Sequence, residues 1–493
     1  MPSARLLAST VNDPATNTMI VFGGADQDTG NLTTSNDVWV FSNADGTGGT
    51  SVWTRLTPSG TPPAARFGAG AVYDPWSNEL IVFGGATYDY TGPCPPTVNP
   101  GFTNDVWILT NANGQGGTPA WTRLTVAGTP PPARRSGVVV YNANNNRLIL
   151  FGGNYACGRT NDAWVLSNAN GLETWDTPTW TRLTPAAPLP AARGEIGTAG
   201  AYDASDNMLI IFGGQGDTTD FNDVWTLSNA NGLGGPPAWT LQSPQLGPPM
   251  ARHAHTVTWD EGDGALMVVG GVDFTDTQFL NDVWWLWNAS GTSPSTQNWW
   301  PISPSGTGPL PRAAHSTVYR HQTQRRATIF AGVTCLPCVG VNDAWVIANI
   351  EDQVFDPPFA TFAVNNAKIT SGSRSLQVHG RFTLVPGGSM DPLTQAVDFG
   401  FGGYATTIPA GSFTYNMDDG SYQFAGTING VPLDMTIQTP GQQSPQGAQG
   451  QGGGYGFTVE AAGANVPPGN PVTVYLRIGH NTGSTQVTAH FGN

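Results

Sequence analysis

A short string that recurs at nearly constant spacing constrains the fold of this chain more than any other feature. Phe-Gly-Gly, or a close variant of it, occurs six times at intervals of 57 to 68 residues, beginning at Phe22, Phe83, Phe151, Phe212, Val269 and Phe330. Self-similarity at a fixed period is the signature of a repeat architecture in which each copy forms one supersecondary unit. The sequence therefore predicts six copies of the same structural unit.

Three further motifs keep the same period. Asn-Asp-(Val/Ala)-Trp follows each copy of the first string, with its tryptophan at Trp39, Trp107, Trp164, Trp225, Trp284 and Trp345. Trp-Thr-Arg-Leu or a relative comes next, at Trp53, Trp121, Trp180, Trp239 and Trp299, and has no sixth copy. A Pro-rich segment that ends in arginine precedes each unit, at Arg5, Arg66, Arg134, Arg193, Arg252 and Arg312. We infer six units, of which the last is incomplete.

The pattern inside one period predicts four short strands. In the second unit we expect them at residues 66–73, at 79–83, around Asp105–Leu109 and at Trp121–Leu124. The near-continuous apolar run of the second strand is typical of a strand that is buried on both faces. Asn-Ala-Asn-Gly segments between the third and fourth strands supply the positive φ angles that a tight hairpin needs. Four-stranded units that repeat radially form a β-propeller.

The Gly-Gly doublet, the downstream tryptophan and their spacing resemble the kelch-repeat family. The resemblance covers residues 4–350 and implies a six-bladed kelch-like β-propeller over residues 1–355, in an all-β chain. The sixth copy departs from the family pattern, because no Trp-Thr-Arg-Leu strand follows Trp345. We expect either that residues 353–355 complete this blade or that it has three strands. An open blade edge is also a template for a strand from a neighbouring chain, which would produce oligomers or filaments.

The C-terminal region does not continue the repeat. Residues 356–493 show about nine short segments of alternating polar and apolar residues, separated by Gly, Asn, Asp and Pro turns. This pattern predicts a β-sandwich domain of the jelly-roll or Ig-like kind. Residues 439–455 are rich in Gln and Gly, and we interpret them as a low-complexity loop.

The composition excludes several classes of function. Only 11% of residues are charged, the net charge is −15, and Lys368 is the only lysine, so the chain lacks the clustered cations that nucleic-acid binding needs. No run of about 18 apolar residues is present, and we expect no membrane span. The 17 tryptophans and 21 phenylalanines argue against a disordered acidic chain.

Cellular location is predicted from the cysteines and the start of the chain. No signal peptide precedes the first repeat, which begins at Arg5, and we interpret the sequence as that of an exported, extracellular or cell-surface protein of bacterial type whose leader was removed or truncated. In an oxidising environment we expect two disulfides, Cys94–Cys157 and Cys335–Cys338. Zinc and redox roles for Cys335 and Cys338 are disfavoured, because a second Cys-x-x-Cys is absent and the pair lies in an all-β context.

A candidate ligand surface follows from the resemblance. In kelch-type propellers one face, built from the loops that join strands two to three and four to one, usually carries function. The predicted loops of this face carry aromatic, acidic and arginine side chains. Aromatic rings stack on sugars and polar groups bind hydroxyls, so these side chains favour a carbohydrate or protein ligand. The candidate ligand residues are Tyr88, Asp89, Tyr90, Tyr155, Arg159, Asp217, Asp220, Phe221, Asp273, Phe274 and Asp276.

The six repeated arginines enter from the same face, where they could contribute to a ligand site or serve the fold. We favour the structural interpretation, in which each arginine pairs with a repeated aspartate and ties adjacent blades together. The aspartates are Asp37, Asp105, Asp162, Asp223, Asp282 and Asp343.

Metal sites and catalytic groups receive weaker support from the sequence. We expect no cofactor; Ca²⁺ remains an alternative for the loop acids, although the Asp-x-Asp-x-Asp-Gly spacing is absent. His255 and His315 occupy the same repeat position and could form half of a metal site facing the channel, but we favour packed strand histidines, and we predict no metal site. The two tyrosines and two histidines of the copper site in galactose oxidase, a kelch-like enzyme, have no counterpart here.

From these features we predict an extracellular binding, adhesion or surface-assembly protein that engages a glycan or a protein through the propeller loops. A carbohydrate-active enzyme at the same face is the main alternative. A structural subunit of an extracellular filament, completed by strand donation at the sixth blade, is the other.

Overall fold

A computed structural model describes most of the chain, and all structural statements below concern these residues. They are residues 1–26, 33–88, 101–155, 158–195, 199–244, 248–292, 297–302, 304, 308–320, 325–334, 339–348, 350, 359, 361–370, 375–384, 390–401, 404–428, 430–440, 454–463, 472–478 and 481–492. The chain divides into two compact units, Met1–Glu351 and Asp352–Asn493. Within the described ranges the only helical element is one 3-10 turn, Ala143–Asn145, and no helix is long and apolar enough to cross a membrane.

The first unit is a six-bladed β-propeller, in which five sheets have four antiparallel strands. Blade 1 comprises Ser9–Asp13, Thr18–Phe22, Val38–Ser42 and Val52–Arg55, and blade 2 comprises Gly70–Asp74, Glu79–Ala86, Phe102–Thr110 and Ala120–Arg123. Blade 3 comprises Val138–Asn142, Arg147–Phe151, Ala163–Ser167 and Thr179–Leu183, and blade 4 comprises Gly200–Asp203, Met208–Gln215, Asp220–Ser228 and Ala238–Gln242. Blade 5 comprises Thr256–Asp260, Ala265–Val272, Phe279–Trp287 and Asn298–Ile302.

Blade 6 has three strands in the described part of the chain, Ser316–Arg320, Arg326–Phe330 and Ala344–Ile347. Residues 353–355, one candidate for a fourth strand, lie outside the described residues, so strand donation at this blade stays a prediction. Small sheets of two-residue strands extend the loops of blades 1, 3 and 6. The sheet at blade 1 has two strands, Ala25–Asp26 and Thr33–Thr34. The sheets at blades 3 and 6 have three strands each: Arg134–Arg135, Asn154–Tyr155 and Gly158–Arg159 at blade 3, and Arg312–Ala313, Val333–Thr334 and Val339–Gly340 at blade 6.

The first strand of each blade begins later than the sequence pattern suggests. In blade 2 it starts at Gly70, not at Arg66, because Gly68 lies between them with a left-handed φ of 61° that interrupts the strand. The arginine thus stands outside the blade, in the segment that arrives from the previous one.

Adjacent blades pack through one repeated aromatic contact. The phenylalanine of Phe-Gly-Gly lies against the fourth-strand tryptophan of the next blade, with ring centroids 4.7 to 5.3 Å apart. The pairs are Phe22–Trp121, Phe83–Trp180, Phe151–Trp239, Phe212–Trp299 and Phe330–Trp53. Blade 5 carries Val269 at this position, and its neighbour is blade 6, which has no Trp-Thr-Arg-Leu motif. The fifth copy thus lacks the phenylalanine at the one junction where the next blade has no motif tryptophan for it to contact.

The second unit contains two β-sheets around one apolar core. One sheet has seven strands in the order Thr414–Asn416, Ser421–Ile428, Val431–Gln438, Tyr455–Ala462, Ser375–Thr383, Thr361–Thr370 and His490–Gly492. The other has four, in the order Tyr404–Ile408, Val397–Phe401, Val472–Ile478 and Asn481–Val487. Buried side chains from both sheets, among them Val378, Phe457, Phe399 and Leu476, belong to one cluster, which is the arrangement of a β-sandwich.

Candidate functional site

Each repeated arginine joins two blades, with its main chain on one and its side chain on the next. The amide of Arg66 donates to the carbonyl oxygen of Ser35 in blade 1, at 2.9 Å. Its guanidinium bonds the carbonyl of Gly84 at 2.9 Å and the carboxylate of Asp105 at 2.6 Å, both in blade 2. All six arginines make the ion pair, at 2.6 to 2.9 Å, and are almost completely buried: Arg5–Asp37, Arg66–Asp105, Arg134–Asp162, Arg193–Asp223, Arg252–Asp282 and Arg312–Asp343.

The other residues of Asn-Asp-(Val/Ala)-Trp complete this junction. The tryptophan Nε1 donates to the aspartate two residues before it, as Trp107 does to Asp105 at 2.7 Å. The asparagine Nδ2 donates to a proline carbonyl in the segment that leads to the next blade, as Asn104 does to Pro131 at 3.0 Å. Burial alone would raise the pKa of Asp105, but the bonds from Arg66 and Trp107 hold it below its ordinary value. The carboxylate therefore stays ionised and the junction stays charged.

The ring closes with the same contacts that join its other blades. Asn342 of blade 6 donates to the Pro2 carbonyl at 3.2 Å, and the Arg5 amide donates to the Val341 carbonyl at 3.3 Å. The Arg5 guanidinium then reaches Asp37 of blade 1. Closure at this junction thus needs no strand from the N-terminal segment.

A ring of left-handed residues surrounds one mouth of the channel. The residue two places after each arginine has a φ of 49° to 61°: Leu7, Gly68, Ser136, Glu195, Ala254 and Ala314. Five amide-to-carbonyl hydrogen bonds of 2.7 to 3.0 Å connect neighbouring members of the ring, including the one from Leu7 to Ala314. Between blades 3 and 4, side chains connect the ring instead: the Glu195 carboxylate pairs with Arg135 at 2.7 Å and accepts a hydrogen bond from Asn154 at 2.6 Å.

Beside that junction, a polar network that is not repeated spans blades 4 and 5. His253 Nδ1 lies 2.9 Å from Asp220 Oδ2, and His253 Nε2 lies 3.2 Å from Asp276 Oδ1. Gln215 Nε2 is 3.5 Å from the same Nε2. Burial alone lowers the pKa of His253, but the hydrogen bond and charge of Asp220, with Asp276 and Glu195 adding to them, raise it above its ordinary value. The ring of His253 thus lies between two carboxylates that favour its charged form.

The network continues to blade 3 through Arg159, which bonds the side chain of Gln215 and pairs with Asp217 at 3.0 Å. The outer carboxylates are open to solvent, with side-chain exposures of 76% for Asp217 and 69% for Asp276. Asp220 is buried, and its Oδ1 has no hydrogen-bond partner among the described residues. One connected group of charges thus runs from a buried acid to two exposed ones, and we call it the His253 network: Arg159, Gln215, Asp217, Asp220, His253 and Asp276.

The structure brings some of the sequence-predicted ligand residues together and leaves others apart. Arg159, Asp217, Asp220 and Asp276 belong to the His253 network. Asp273 does not reach His253; its carboxylate caps the loop by accepting from the amides of Thr277 and Gln278. Burial alone would raise the pKa of Asp273, but the Thr275 hydroxyl, which also donates to this carboxylate, and the two amides hold that pKa below its ordinary value.

The aromatic candidates divide in the same way. Phe221 lies under the guanidinium of Arg193, 4.3 Å from ring centroid to Cζ, and thus supports a structural arginine. Tyr88, Tyr155 and Phe274 are 46%, 37% and 38% exposed on their loops. Asp89, Tyr90 and the four cysteines, Cys94, Cys157, Cys335 and Cys338, lie outside the described residues.

Sequence reasoning did not assign a role to four residues of this region: His253, Gln215, Glu195 and Arg135. A signal was present in the repeat. The position after each arginine holds Leu6, Phe67, Gly194 or Ala313 in four units and a charged or titratable side chain in two, Arg135 and His253. Glu195 is likewise the only acid among the six left-handed positions.

His255 and His315 line a cavity of about 150 Å³ inside the ring of first strands. Both are buried, and burial, with the nearby arginines, lowers the pKa of His255 and brings that of His315 to about 3, so both imidazoles are neutral. Among the described residues, no three His, Cys, Asp or Glu side chains are grouped so as to hold a metal ion.

Relatives of known identity match parts of the chain. Over 172 residues it is 33% identical to host cell factor 1 of Homo sapiens, a match that covers 33% of this chain and 8% of that protein. Over 205 residues it is 28% identical to tip elongation aberrant protein 1 of Schizosaccharomyces pombe, covering 42% of this chain and 15% of that protein. The chain thus spans a small part of the length of these relatives.

Solved structures with distant similarity include a mutant of Trypanosoma rangeli sialidase displaying trans-sialidase activity. It aligns over 93% of this chain and 91% of that one, with a TM-score of 0.43 and 11% identity. Trypanosoma rangeli sialidase in complex with sialic acid aligns over 96% and 90%, with a TM-score of 0.43 and 10% identity.

The repeat region matches one described family over most of the chain. Three overlapping stretches, residues 1–193, 97–332 and 171–388, match the KLHDC2/KLHL20/DRC7 Kelch-repeats domain. With its six copies of the motif and its six sheets around one channel, the chain belongs to the kelch-repeat family.

Proposed function

We propose that this protein is a binding protein whose loop face engages a macromolecular ligand at the His253 network. We use loop face for the loops that join strands two to three and four to one. The observation that carries the proposal is the contrast between the repeated arginines and this network. All six repeated arginines are buried in ion pairs at the blade junctions, whereas the carboxylates of Asp217 and Asp276 belong to a connected set of charges and are exposed to solvent.

Charge favours a protein ligand with basic side chains. Carboxylates outnumber cations in the His253 network, and the chain as a whole carries a net charge of −15. A field of one sign steers ligands of the opposite sign and increases their association rate. Membership of the kelch-repeat family is consistent with a protein partner.

A glycan is the second ligand class at this face, supported by the exposed rings of Tyr88, Tyr155 and Phe274. An extracellular or cell-surface location and a role in adhesion or surface assembly remain part of the proposal. They rest on the cysteines and the scarcity of lysine.

Removal of both exposed carboxylates tests the proposal. We expect Asp217→Ala/Asp276→Ala to weaken binding to an array of basic peptides at least tenfold, and to reduce the salt dependence of that binding, because exposed charges are screened by salt. Glu261→Ala/Asp418→Ala removes the same charge from exposed positions elsewhere and should bind like the wild type. A glycan array run with the same variants separates the two ligand classes. Equal binding by both double variants would contradict the proposal.

An acid–base enzyme at the same place is a second candidate function, favoured by the Asp220–His253 pair. A histidine oriented by a buried carboxylate, with a raised pKa, is a general acid near neutral pH. Nε2 is the nitrogen that would meet a substrate, and Asp276 now covers it at 3.2 Å. Hydrolysis of glycosides by the wild type that His253→Gln abolishes while the fold survives would favour the enzyme over the binding protein.

A further inference from the structure

We propose a second binding site, for a glycan, on the propeller face opposite the loop face. We call this the turn face, since it is built from the turns that join strands one to two and three to four. The site is centred on Trp76 in blade 2 and Trp175 in blade 3. It is distinct from the His253 network, which lies at the other end of the strands.

These two tryptophans are the ones the fold does not use. Their exposures are 79% and 81%, whereas the repeated tryptophans donate to an aspartate or pack against a phenylalanine of the preceding blade. Indole is the largest apolar side chain, and two of them exposed on neighbouring turns form the kind of apolar patch that marks a binding site.

Both residues also depart from the repeat. Trp76 stands in the first hairpin turn of blade 2, where blades 1, 3 and 4 have Ala15, Asn144 and Ser205. Trp175 belongs to the third-to-fourth-strand turn of blade 3, which has 11 residues between its strands, against 9 in the Gly-Gly-containing turns of blades 1, 2 and 4. Two independent departures at a shared place indicate a role that the propeller itself does not require.

The turns that carry them touch. Asn170 Nδ2, in the blade 3 turn, donates to Asp74 Oδ2, in the blade 2 turn, at 2.8 Å. The Trp76 amide donates to the other oxygen of Asp74 at 3.0 Å, and the Leu172 amide donates to Asn170 Oδ1 at 3.0 Å. One hydrogen-bonded bridge therefore holds the backbones of both turns in place, with Leu172 itself 56% exposed.

The chemistry between the rings favours a sugar over a protein surface. The polar side chains beside the rings that can reach a ligand are Asn170 and Ser77, which are half-buried; Asp74, to which both donate, is buried. Protein interfaces centre on contiguous, fully desolvated apolar contacts with a polar rim outside them. A pyranose has C–H faces that stack on indoles and hydroxyls that bond amide and hydroxyl groups, so it matches exposed rings that have polar groups beside them.

Binding of glycans to the full chain tests the proposal. We expect wild-type protein to bind members of a glycan array, and Trp76→Ala and Trp175→Ala each to weaken that binding about tenfold, the effect of losing one stacked ring. Leu233→Ala changes the equivalent turn of blade 4, where Leu233 is 42% exposed, and should bind within twofold of the wild type. Trp76→Phe should retain most of the affinity, since phenylalanine keeps a stacking surface.

Two further readouts separate this site from the loop face and from misfolding. Asp217→Ala/Asp276→Ala should leave glycan binding at the turn face unchanged, and the melting temperature of the Trp76 and Trp175 variants should equal that of the wild type, because exposed side chains contribute little to stability. Silence of the wild type on the array, equal binding by the alanine variants, or loss of a protein partner instead of a glycan in those variants would each overturn the proposal.

Discussion

The six blade junctions and the His253 network use the same kinds of side chain for opposite purposes. At a junction, Arg134 is buried, pairs with Asp162 at 2.6 Å, and has an equivalent in every blade. In the network, Arg159 pairs at 3.0 Å with an exposed Asp217 and has no equivalent elsewhere in the described repeats. Repetition together with burial indicates a structural role, and a single exposed copy indicates a site that is free to evolve toward a ligand.

Removal of a junction arginine should have the largest effect. Arg134→Met removes the cation that compensates the largely buried carboxylate of Asp162 and the donor to the Gly152 carbonyl, which costs about 3–5 kcal/mol. Arg159→Met breaks an ion pair whose carboxylate, Asp217, is exposed, and should cost about 1 kcal/mol. Urea unfolding of the full chain measures both, and equal losses would erase the distinction between junction and network.

The histidine of the network should have a smaller, pH-dependent effect. Because the pKa of His253 is raised on folding, its charged form stabilises the folded state below the ordinary histidine pKa of about 6.5, and that contribution is lost as the pH rises through the folded-state value. We expect His253→Gln to lower stability by about 1.5 kcal/mol at pH 6 and by much less at pH 9.

Melting temperatures of the wild type and of His253→Gln across this pH range measure the difference. His315→Gln serves as the comparison: His315 is neutral in the folded protein but takes up a proton below about pH 6.5 when unfolded, so its variant should show the opposite trend, with the smaller loss of stability at pH 6. A stability loss that is constant with pH would show that His253 is not charged in the folded protein.

The left-handed ring should respond least. Ala254 has a φ of 50°, a conformation that costs a residue with a side chain about 1 kcal/mol, and glycine removes that strain at the expense of chain entropy. Ala254→Gly should therefore stabilise the protein by about 0.5 kcal/mol, measured by thermal unfolding. Ala201→Gly, in a buried strand, should destabilise it by about 1 kcal/mol, and the same sign for both variants would mean that the ring carries no strain.

The comparison also explains what could be predicted from the sequence. The propeller was predictable because Asp37 and Trp39 have equivalents with the same neighbours in all six units and Phe22 has them in five, so the copies report one environment. The Arg–Asp pairing was suggested by the presence of one repeated arginine and one repeated aspartate in every unit. That each arginine contacts one blade with its main chain and the next with its side chain could not be predicted, since main-chain hydrogen bonds do not depend on residue type. The first strands begin late because Gly68 and its equivalents adopt a conformation that most of these residue types disfavour.

The His253 network was only half predictable. Arg159, Asp217, Asp220 and Asp276 stand out as polar residues in loops, but nothing local shows that His253, 33 residues away in sequence, completes the set. Its neighbours come from different blades, and their contact depends on how far each loop folds over the channel mouth. A site whose side chains come from different blades has no repeating pattern in the sequence, so it cannot be recognised from the sequence.

Closure of the propeller has a consequence for how the chain is made. The hydrogen bonds between blades 6 and 1 join residues 275 to 340 positions apart, such as Thr10 and Ser316, whose hydroxyl oxygens are 2.7 Å apart. Such distant contacts form late, after the entropy of closing a long loop has been overcome. During synthesis, Met19 and Phe41 of blade 1 stay exposed to solvent until Val318 and Phe330 of blade 6, with which they form one apolar cluster, have been made. Until blade 6 has been synthesised, the nascent chain therefore carries an exposed apolar surface on blade 1, and this surface is where a chaperone would be needed.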